Sequence, residues 1–289
     1  DLGSARGDSA GSLGGGRLVL VHVLMVQQPE WLGLSGAGEA VKASFLSVSV
    51  WWAVFTIPLL RWVTETPTED QASAGQAVRQ GLRQLATTFK EIRSFRVLLL
   101  FLVAYWIYID GVNTVIKTAV FFGDRVLGLD QGALITALLL TQFVAFPAAL
   151  AFGALGQRIG AKPATQIGIV VYLAAVIYAW RFLTTERDFY ALAVAIGLVQ
   201  GGVQSLSRSL YARLVPASKT AEFFGFFNMV GKFATIFGPV LIAFTPRLIP
   251  GATERDGILS LSVLFLVGGF LLSRVNVEEG VAAAQRFDD

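Results

Sequence analysis

The chain has 289 residues, of which 54% are hydrophobic and 15% charged, and its mean hydropathy is +0.63. In soluble domains about a quarter of all residues are charged, so this composition predicts a membrane protein. The absence of cysteine excludes disulfides, thiolate nucleophiles and cysteine-type metal sites. The net charge of +3 does not indicate nucleic-acid binding, because in a membrane protein the distribution of Lys and Arg between loops matters instead.

Eight apolar segments are candidate membrane spans, since a helix needs about 20 apolar residues to cross the hydrocarbon core. Continuous apolar runs exclude the alternating pattern of barrel strands, so the predicted fold is an all-α membrane protein. The first span is short and is interrupted by Arg17 and His22. In chain order the spans are Leu13–Val26, Val41–Leu60, one within Phe95–Phe122, Ala133–Ala154, Pro163–Trp180, Phe189–Leu210, Phe223–Phe244 and Ile258–Leu272.

The opening residues, DLGSARGDSAGSLGGG, are too polar and too rich in glycine for the apolar region of a signal peptide. We interpret them as the tail of a preceding loop. The glycines at 14–16 are followed by no Walker lysine and stand on no strand–helix unit. Helix packing therefore explains them better than a phosphate cradle does.

The basic residues predict the orientation. If both termini lie on one side of the membrane, the loops and tails on that side hold fourteen Lys and Arg, whereas the opposite loops hold six. By the positive-inside tendency, both termini of this chain are cytoplasmic. We expect a multi-pass protein of the cell (inner) membrane.

The long loop from Thr64 to Arg93 contains an amphipathic pattern. An apolar stripe at helical spacing predicts a helix that lies in the cytoplasmic interface, with basic residues on its other faces. A solvated charged linker is the alternative. The stripe consists of Val78, Leu82, Leu85, Phe89 and Ile92, and the basic residues are Arg79, Arg83, Lys90 and Arg93.

Nothing in the sequence indicates catalysis. The single histidine, His22, has no metal-ligating partners at a suitable spacing, and no nucleophile constellation such as G-x-S-x-G with a later histidine is present. We therefore predict that the chain is not an enzyme and that it uses neither a metal nor a cofactor.

Polar residues within spans are expensive in lipid and are therefore candidate functional positions. In the third span Asp110, Asn113, Thr114 and Lys117 recur on one helix face. Pairing with Lys117, partial hydration or a raised pKa would each relieve the cost of the Asp110 carboxylate. We predict a protonatable coupling acid at Asp110, and a helix-packing ion pair is the alternative.

The sixth and seventh spans carry further polar faces. Gln200, Gln204 and Arg208 share one face, and Asn228 and Lys232 share another. The deeper of these residues are predicted to contact a polar solute, and hydrogen bonding between helices is the alternative. For Arg208 and Glu222, near the ends of neighbouring helices, we expect a gate-like or purely structural salt bridge.

Several stretches resemble known transporters. GALGQRIGAKP (153–163) resembles the G-x-x-x-D-R-x-G-R-K motif of the major facilitator superfamily, with Gln157 where the acid usually stands and Arg158 in the basic position. QSLSRSLYARLVP, EFFGFFNMVGKFATIFGP, YIDGVNTVI and SFLSVSVWWAVFTIPL resemble the autophagy-related vacuole-effluxer branch and its bacterial relatives. The motif residues that carry the resemblance are Asp110, Gly111, Thr114, Gln204, Ser207, Arg208, Glu222, Phe223, Phe224, Gly225, Asn228, Gly231 and Lys232.

That resemblance implies twelve helices in two six-helix bundles, a solute path between them, and export of amino acids in fungal members. The eight spans would then be the last two of the first bundle and all six of the second, with the first four absent. The implied domains are 1–63 (the end of the first bundle), 64–94 (the linker), 95–274 (the second bundle) and 275–289 (a cytoplasmic tail).

The predicted function is proton-coupled secondary transport of a small polar solute, such as an amino acid, with export as the expected direction. A missing N-terminal portion of the same transporter is an expected partner. The alternative is a non-transporting remnant or membrane scaffold.

Overall fold

The computed structural model describes the backbone of residues 2–63 and 74–289, and the side chains of residues 14–63 and 79–289 except Ala37 and Leu59. Within these ranges the chain forms α-helices, two short 3-10 helices (Pro29–Leu32 and Ala217–Lys219) and no β-strand. The α-helices are α1 (Leu2–Gln27), α2 (Ala37–Trp62), α3 (Ala74–Ser94), α4 (Arg96–Arg125), α5 (Gln131–Ile159), α6 (Ala161–Arg181), α7 (Glu186–Leu214), α8 (Thr220–Phe233), α9 (Phe237–Leu248), α10 (Glu254–Ser260), α11 (Ser262–Arg274) and α12 (Val277–Asp288).

Seven segments of the described chain are long and apolar enough to cross a membrane, which confirms the predicted all-α membrane fold. They correspond to the second through eighth predicted spans. The first predicted span lies in α1, where the described apolar part, Gly14–Gln27, is shorter than the roughly 17 to 25 residues that a crossing requires. Seven of the eight predicted spans are therefore confirmed as long enough to cross a membrane, and the first is not.

The start of the chain differs from its prediction as a loop, because α1 is helical from Leu2. Once an apolar turn has nucleated a helix, each added residue contributes one more backbone hydrogen bond. These added hydrogen bonds offset part of the cost of the glycines in the opening residues.

The described residues fall into two compact units, and the smaller one is residues 14–83. Within it, the ring of His22 in α1 forms a 2.6 Å hydrogen bond with the Ser47 hydroxyl in α2. Ala40 of α2 is fully buried. His22 is thus a packed residue with a hydroxyl partner, as expected for a lone imidazole.

The larger unit contains residues 84–289 together with the first residues of the chain. In its core, α7 packs against α5 and α6, and α4 packs against α11. Small residues allow these close approaches: a Cβ at Gly268 of α11 would lie 2.8 Å from the backbone nitrogen of Tyr108 in α4. Aromatic side chains fill the interior, and the largest fully buried ones are Tyr108, Tyr172, Tyr211, Phe101, Phe223 and Phe265.

Two predicted spans are interrupted, which corrects their prediction as single helices. The seventh is divided at Ala234–Ile236 into α8 and α9, and the eighth is divided at Leu261 into α10 and α11. Each apolar run continues through its interruption, so hydropathy alone does not reveal either one. At the first interruption, two side chains of α4 bind the freed backbone groups.

Two segments outside the spans are also helical. The helix predicted in the linker is confirmed over Ala74–Ser94, and the predicted linker residues 64–73 lie outside the described residues. The C-terminal tail forms α12, which packs on the bundle, because a Cβ at Gly280 would lie 2.4 Å from a methyl group of Leu214. The Asp288 carboxylate accepts hydrogen bonds from the Ala217 amide (2.6 Å) and from the amide and hydroxyl of Ser218.

Candidate functional site: a broken helix and a polar face

The central feature of the larger unit is the break between α8 and α9. Phe233 is the last residue of α8, Phe237 is the first of α9, and three residues connect them. Pro239 lies in the first turn of α9, where its missing N–H costs no helical hydrogen bond. The break leaves the amides of α9 and the carbonyls of α8 to be satisfied by other groups.

Asp110, in the middle of α4, binds the start of α9. Its Oδ2 accepts hydrogen bonds from the amides of Ile236 (3.0 Å) and Phe237 (2.8 Å), and its Oδ1 accepts one from the amide of Gly238 (2.8 Å). The Thr114 hydroxyl donates to the same Oδ1 at 3.2 Å. The carboxylate is fully buried and lies at the positive end of the helix dipole of α9. Asp110 therefore occupies the position that a bound anion takes at other helix N-termini.

Asn113 binds the other side of the break. Its Nδ2 donates a 3.0 Å hydrogen bond to the carbonyl oxygen of Ala234, immediately after α8. One face of α4 thus satisfies both broken ends. Lys117, which the sequence placed on the same face, has an exposed side chain and makes no hydrogen bond or ion pair with the described residues. The structure therefore brings together Asp110, Asn113 and Thr114, and Asp110 is stabilised by backbone amides and a hydroxyl rather than by Lys117.

A second polar cluster lies where α4, α7 and α8 meet. Tyr105 of α4 stacks on Phe227 of α8, with ring centroids 4.3 Å apart, and its hydroxyl would lie 3.1 Å from a Cβ at Gly231. The Tyr105 hydroxyl also interacts electrostatically with Arg208 of α7. The hydroxyl of Tyr211 donates a 2.7 Å hydrogen bond to the carbonyl of Phe223, which joins α7 to α8.

Three of the predicted solute-contacting residues and the predicted gate residue Arg208 lie at the surface of α7 and α8. Gln204 is half-buried, whereas Arg208, Asn228 and Lys232 are exposed although they stand within candidate spans. We call these four residues the polar face. The side chains of Asn228 and Lys232 need water, solute or another protein segment as a neighbour, because hydrocarbon would leave them unsolvated.

Gln200 lies apart from the polar face. It lines a small apolar cavity of about 40 Å³ between α4, α5 and α7, together with Ile116, Ala137, Thr141 and Phe189. Its Oε1 is buried and accepts no hydrogen bond from the described residues. This cavity is far smaller than the roughly 300 to 1,000 Å³ of typical ligand pockets.

The predicted gate residues have separate environments. Glu222 pairs with Lys219 at 3.5 Å, and Lys219 also pairs with Glu91 of α3 at 3.3 Å, so Glu222 has a partner that the sequence did not suggest. Arg158 is exposed and makes no hydrogen bond or ion pair with the described residues. Four residues after Arg158, the Lys162 ammonium donates hydrogen bonds to the carbonyls of Ser273 (2.9 Å) and Val275 (2.8 Å), at the end of α11.

Sequence reasoning did not identify Tyr105, Lys162 or Lys219. Lys162 stands at the basic end of the GALGQRIGAKP loop, so the motif was a usable signal for a helix-end contact. Tyr105 lies among other aromatic residues of an apolar span, and nothing local distinguishes it from a core residue. Lys219 lies in a short connection whose ion-pair partner, Glu91, is distant in the chain.

Comparison with known proteins assigns the chain to a family. A family model described as vacuole effluxer Atg22 like matches residues 4–285, which is nearly the whole chain. The chain belongs to the vacuole effluxer Atg22-like family. The match includes α4 with Asp110, the polar face and the broken helix, so these features lie within the part of the chain shared with the family.

Individual relatives agree with this assignment. The chain is 37% identical over 291 residues to the uncharacterized MFS-type transporter YxiO of Bacillus subtilis, an alignment that covers 100% of the chain and 66% of that protein. It is 27% identical over 274 residues to autophagy-related protein 22 of Yarrowia lipolytica (85% and 46%). It is 28% identical over 266 residues to the protein of the same name in Cryptococcus neoformans (86% and 46%).

The chain thus spans 66% or less of the length of these relatives. The Bacillus protein is a transporter by name, and the family matched by this chain is described as effluxer-like. Family membership and seven candidate spans in the described residues together identify a multi-pass membrane protein.

Proposed function

We propose that the chain carries the solute-contacting part of a secondary transporter for small polar solutes. The observation that carries this proposal is the polar face, because its exposed cation and amide groups lie within candidate membrane spans. A non-transporting scaffold would be expected to satisfy such groups by contacts between its own helices. Among the described residues, Asn228 and Lys232 make no such contacts.

The chemistry of this face suits an amino acid. The ammonium of Lys232 and the guanidinium of Arg208 complement a carboxylate, and the amides of Gln204 and Asn228 both donate and accept hydrogen bonds. The family description as an effluxer supports export as the direction. Solute class and direction are both part of the proposal.

Proton coupling through Asp110 remains a prediction from the sequence. The contacts of Asp110 support a different role, in which the carboxylate holds the start of α9 in place, because both of its oxygens accept hydrogen bonds. Asp110→Asn separates the two roles. A coupling acid predicts loss of pH-driven flux with solute exchange retained, whereas a structural anchor predicts loss of both together with lower thermal stability.

Transport itself is tested in cells that express the complete gene, with counterflow of radiolabelled amino acids as the measurement. Lys232→Met is expected to reduce counterflow at least tenfold, because a lost charge-assisted hydrogen bond costs about 1.5 to 3 kcal/mol. Arg187→Gln, an exposed cation near the opposite end of α7, is the matched control and is expected to leave flux unchanged. Equal flux in both variants, or a folded protein without counterflow, would favour the scaffold.

A further inference from the structure

We propose that α3 is a docking surface for the anionic headgroups of phospholipids and that this contact bears on α8. The inference does not depend on the solute. It rests on the exposed apolar stripe of α3, on the distribution of charge around the helix, and on two contacts between α3 and α8.

The apolar stripe of α3 is largely exposed. Leu82 is 63%, Phe89 48% and Leu85 37% exposed, whereas Ile92 and Thr88, near the C-terminal end of the helix, are buried. The helix therefore packs on the bundle near its C-terminal end, at Thr88 and Ile92, and leaves Leu82, Leu85 and about half of Phe89 exposed. An apolar stripe beside a strongly polar side is the pattern of helices that lie in a membrane interface.

The basic residues of α3 are concentrated beside this stripe. At about 100° per residue, Arg79, Lys90 and Arg93 fall within about 60° of the helix circumference, on the flank away from Thr88. Glu91, the one acidic residue of α3, lies on the other side and is neutralised by Lys219. The exposed flank therefore carries three cations, Arg79, Lys90 and Arg93, without an acidic residue of α3 beside them.

This combination favours an anionic bilayer over a soluble polyanion. Basic residues next to an anionic membrane surface each strengthen binding about fivefold. A nucleic acid or an acidic protein would match the charge but would leave Leu82 and Phe89 in water. A membrane surface accommodates both features, and the seven candidate spans of this chain hold α3 near one.

Two contacts connect α3 to α8. Lys219, just before α8, pairs with Glu91 at 3.3 Å, and the ring centroids of Phe89 and Phe226 are 6.0 Å apart. Phe89 thus belongs both to the exposed stripe and to the contact with α8. A lipid-dependent shift of α3 would therefore be transmitted to the first turns of α8, whose later residues include Asn228 and Lys232.

The test uses the absence of cysteine from the chain. Leu82→Cys places an environment-sensitive fluorophore on the stripe, and Gln80→Cys places one on the other side of α3 as the matched control. The full chain is reconstituted in vesicles of phosphatidylcholine alone or mixed with phosphatidylglycerol. We expect lipid-attached nitroxides to quench the label at position 82 several-fold more strongly in the anionic vesicles, with less effect at high salt and little change at position 80.

A charge variant then tests the role of the cations. Neutralising Arg79, Lys90 and Arg93 to Gln is expected to weaken docking on the order of a hundredfold and to abolish the response to phosphatidylglycerol. The control neutralises Arg181, Arg187 and Arg247 to Gln at the opposite end of the bundle and is expected to respond normally. Equal quenching at position 82 in neutral and anionic vesicles would overturn the proposal. Protection of position 82 from both lipid and aqueous quenchers would also overturn it and would indicate a protein partner.

Discussion

Replacing Gly238 by Ala tests whether the helix break is held by close packing against α4. A Cβ at this position would lie 2.0 Å from the Thr114 hydroxyl, whereas ordinary contacts begin at 3.4 Å, so the two groups would have to separate by 1.4 Å. That movement would break the 2.8 Å hydrogen bond from the Gly238 amide to Asp110. Overpacking costs about 1 to 3 kcal/mol and a lost hydrogen bond to a charged group about 1.5 to 3 kcal/mol.

The expected loss is thus about 2.5 to 6 kcal/mol, or a melting temperature lower by on the order of 10 °C. The assay is thermal unfolding in detergent, followed by the loss of monodisperse protein. Gly225→Ala is the matched control, because Gly225 lies in α8 with no atom within 4 Å of its would-be Cβ. It is expected to be neutral or up to about 1 kcal/mol stabilising.

A second substitution, at Thr114, tests whether the loss of stability in Gly238→Ala comes from the clash with that side chain. Thr114→Ala removes the hydroxyl and methyl groups that lie 2.0 and 2.8 Å from the new Cβ, although the Thr114 Cβ at 2.6 Å remains. Combined with Gly238→Ala, it should therefore recover part of the lost stability. If Gly238→Ala proves as stable as Gly225→Ala, then α9 does not start against α4 in the way described.

Three further predictions concern the ends of the bundle. Lys162→Met removes two hydrogen bonds to carbonyls at the end of α11 and is expected to lower the free energy of unfolding by about 1 to 3 kcal/mol. Arg158→Gln, at an exposed position, should change the free energy of unfolding by less than about 0.5 kcal/mol. Equal melting temperatures of the two variants would contradict the Lys162 contact. The Ser218 hydroxyl holds the pKa of Asp288 below its usual value. The stabilisation of α12 by the Asp288 carboxylate should therefore be fully present above about pH 4 and lost as the pH falls through the lowered pKa. Hydrogen-exchange protection in α12 measures this loss. Asp288→Asn should lower the exchange protection of α12 at pH 7 and remove the further loss of protection in acid; unchanged protection would show that α12 is held without the Asp288 contacts.

The spans were predictable because run length and hydropathy are local properties of the sequence. The break between α8 and α9 was not, because Ala234, Ile236 and Phe237 continue the apolar run without a change of composition. What stabilises the break is a carboxylate more than a hundred residues earlier, and no local pattern reports that contact. Pro239 was the available signal, since a proline is tolerated best in the first turn of a helix.

The polar residues of α4 illustrate the same limit. Helical spacing correctly placed Asp110 and Thr114 on one face, but it could not choose between Lys117 and the backbone of another helix as the partner of the carboxylate. The C-terminal tail is similar, because its short polar sequence resembles a solvated segment. Only the packing of Gly280 against Leu214 and the hydrogen bonds of Asp288 show that it is a docked helix.

The central claim is that the polar face of α7 and α8 meets a solute in water rather than lipid. The most direct measurement is the labelling rate of Asn228→Cys by a charged, membrane-impermeant thiol reagent, compared with that of Val170→Cys on the exposed apolar surface of α6. The account predicts rapid labelling of Asn228→Cys that slows when amino acids are added, and negligible labelling of Val170→Cys. Equal, slow labelling of both variants, unaffected by amino acids, would contradict it.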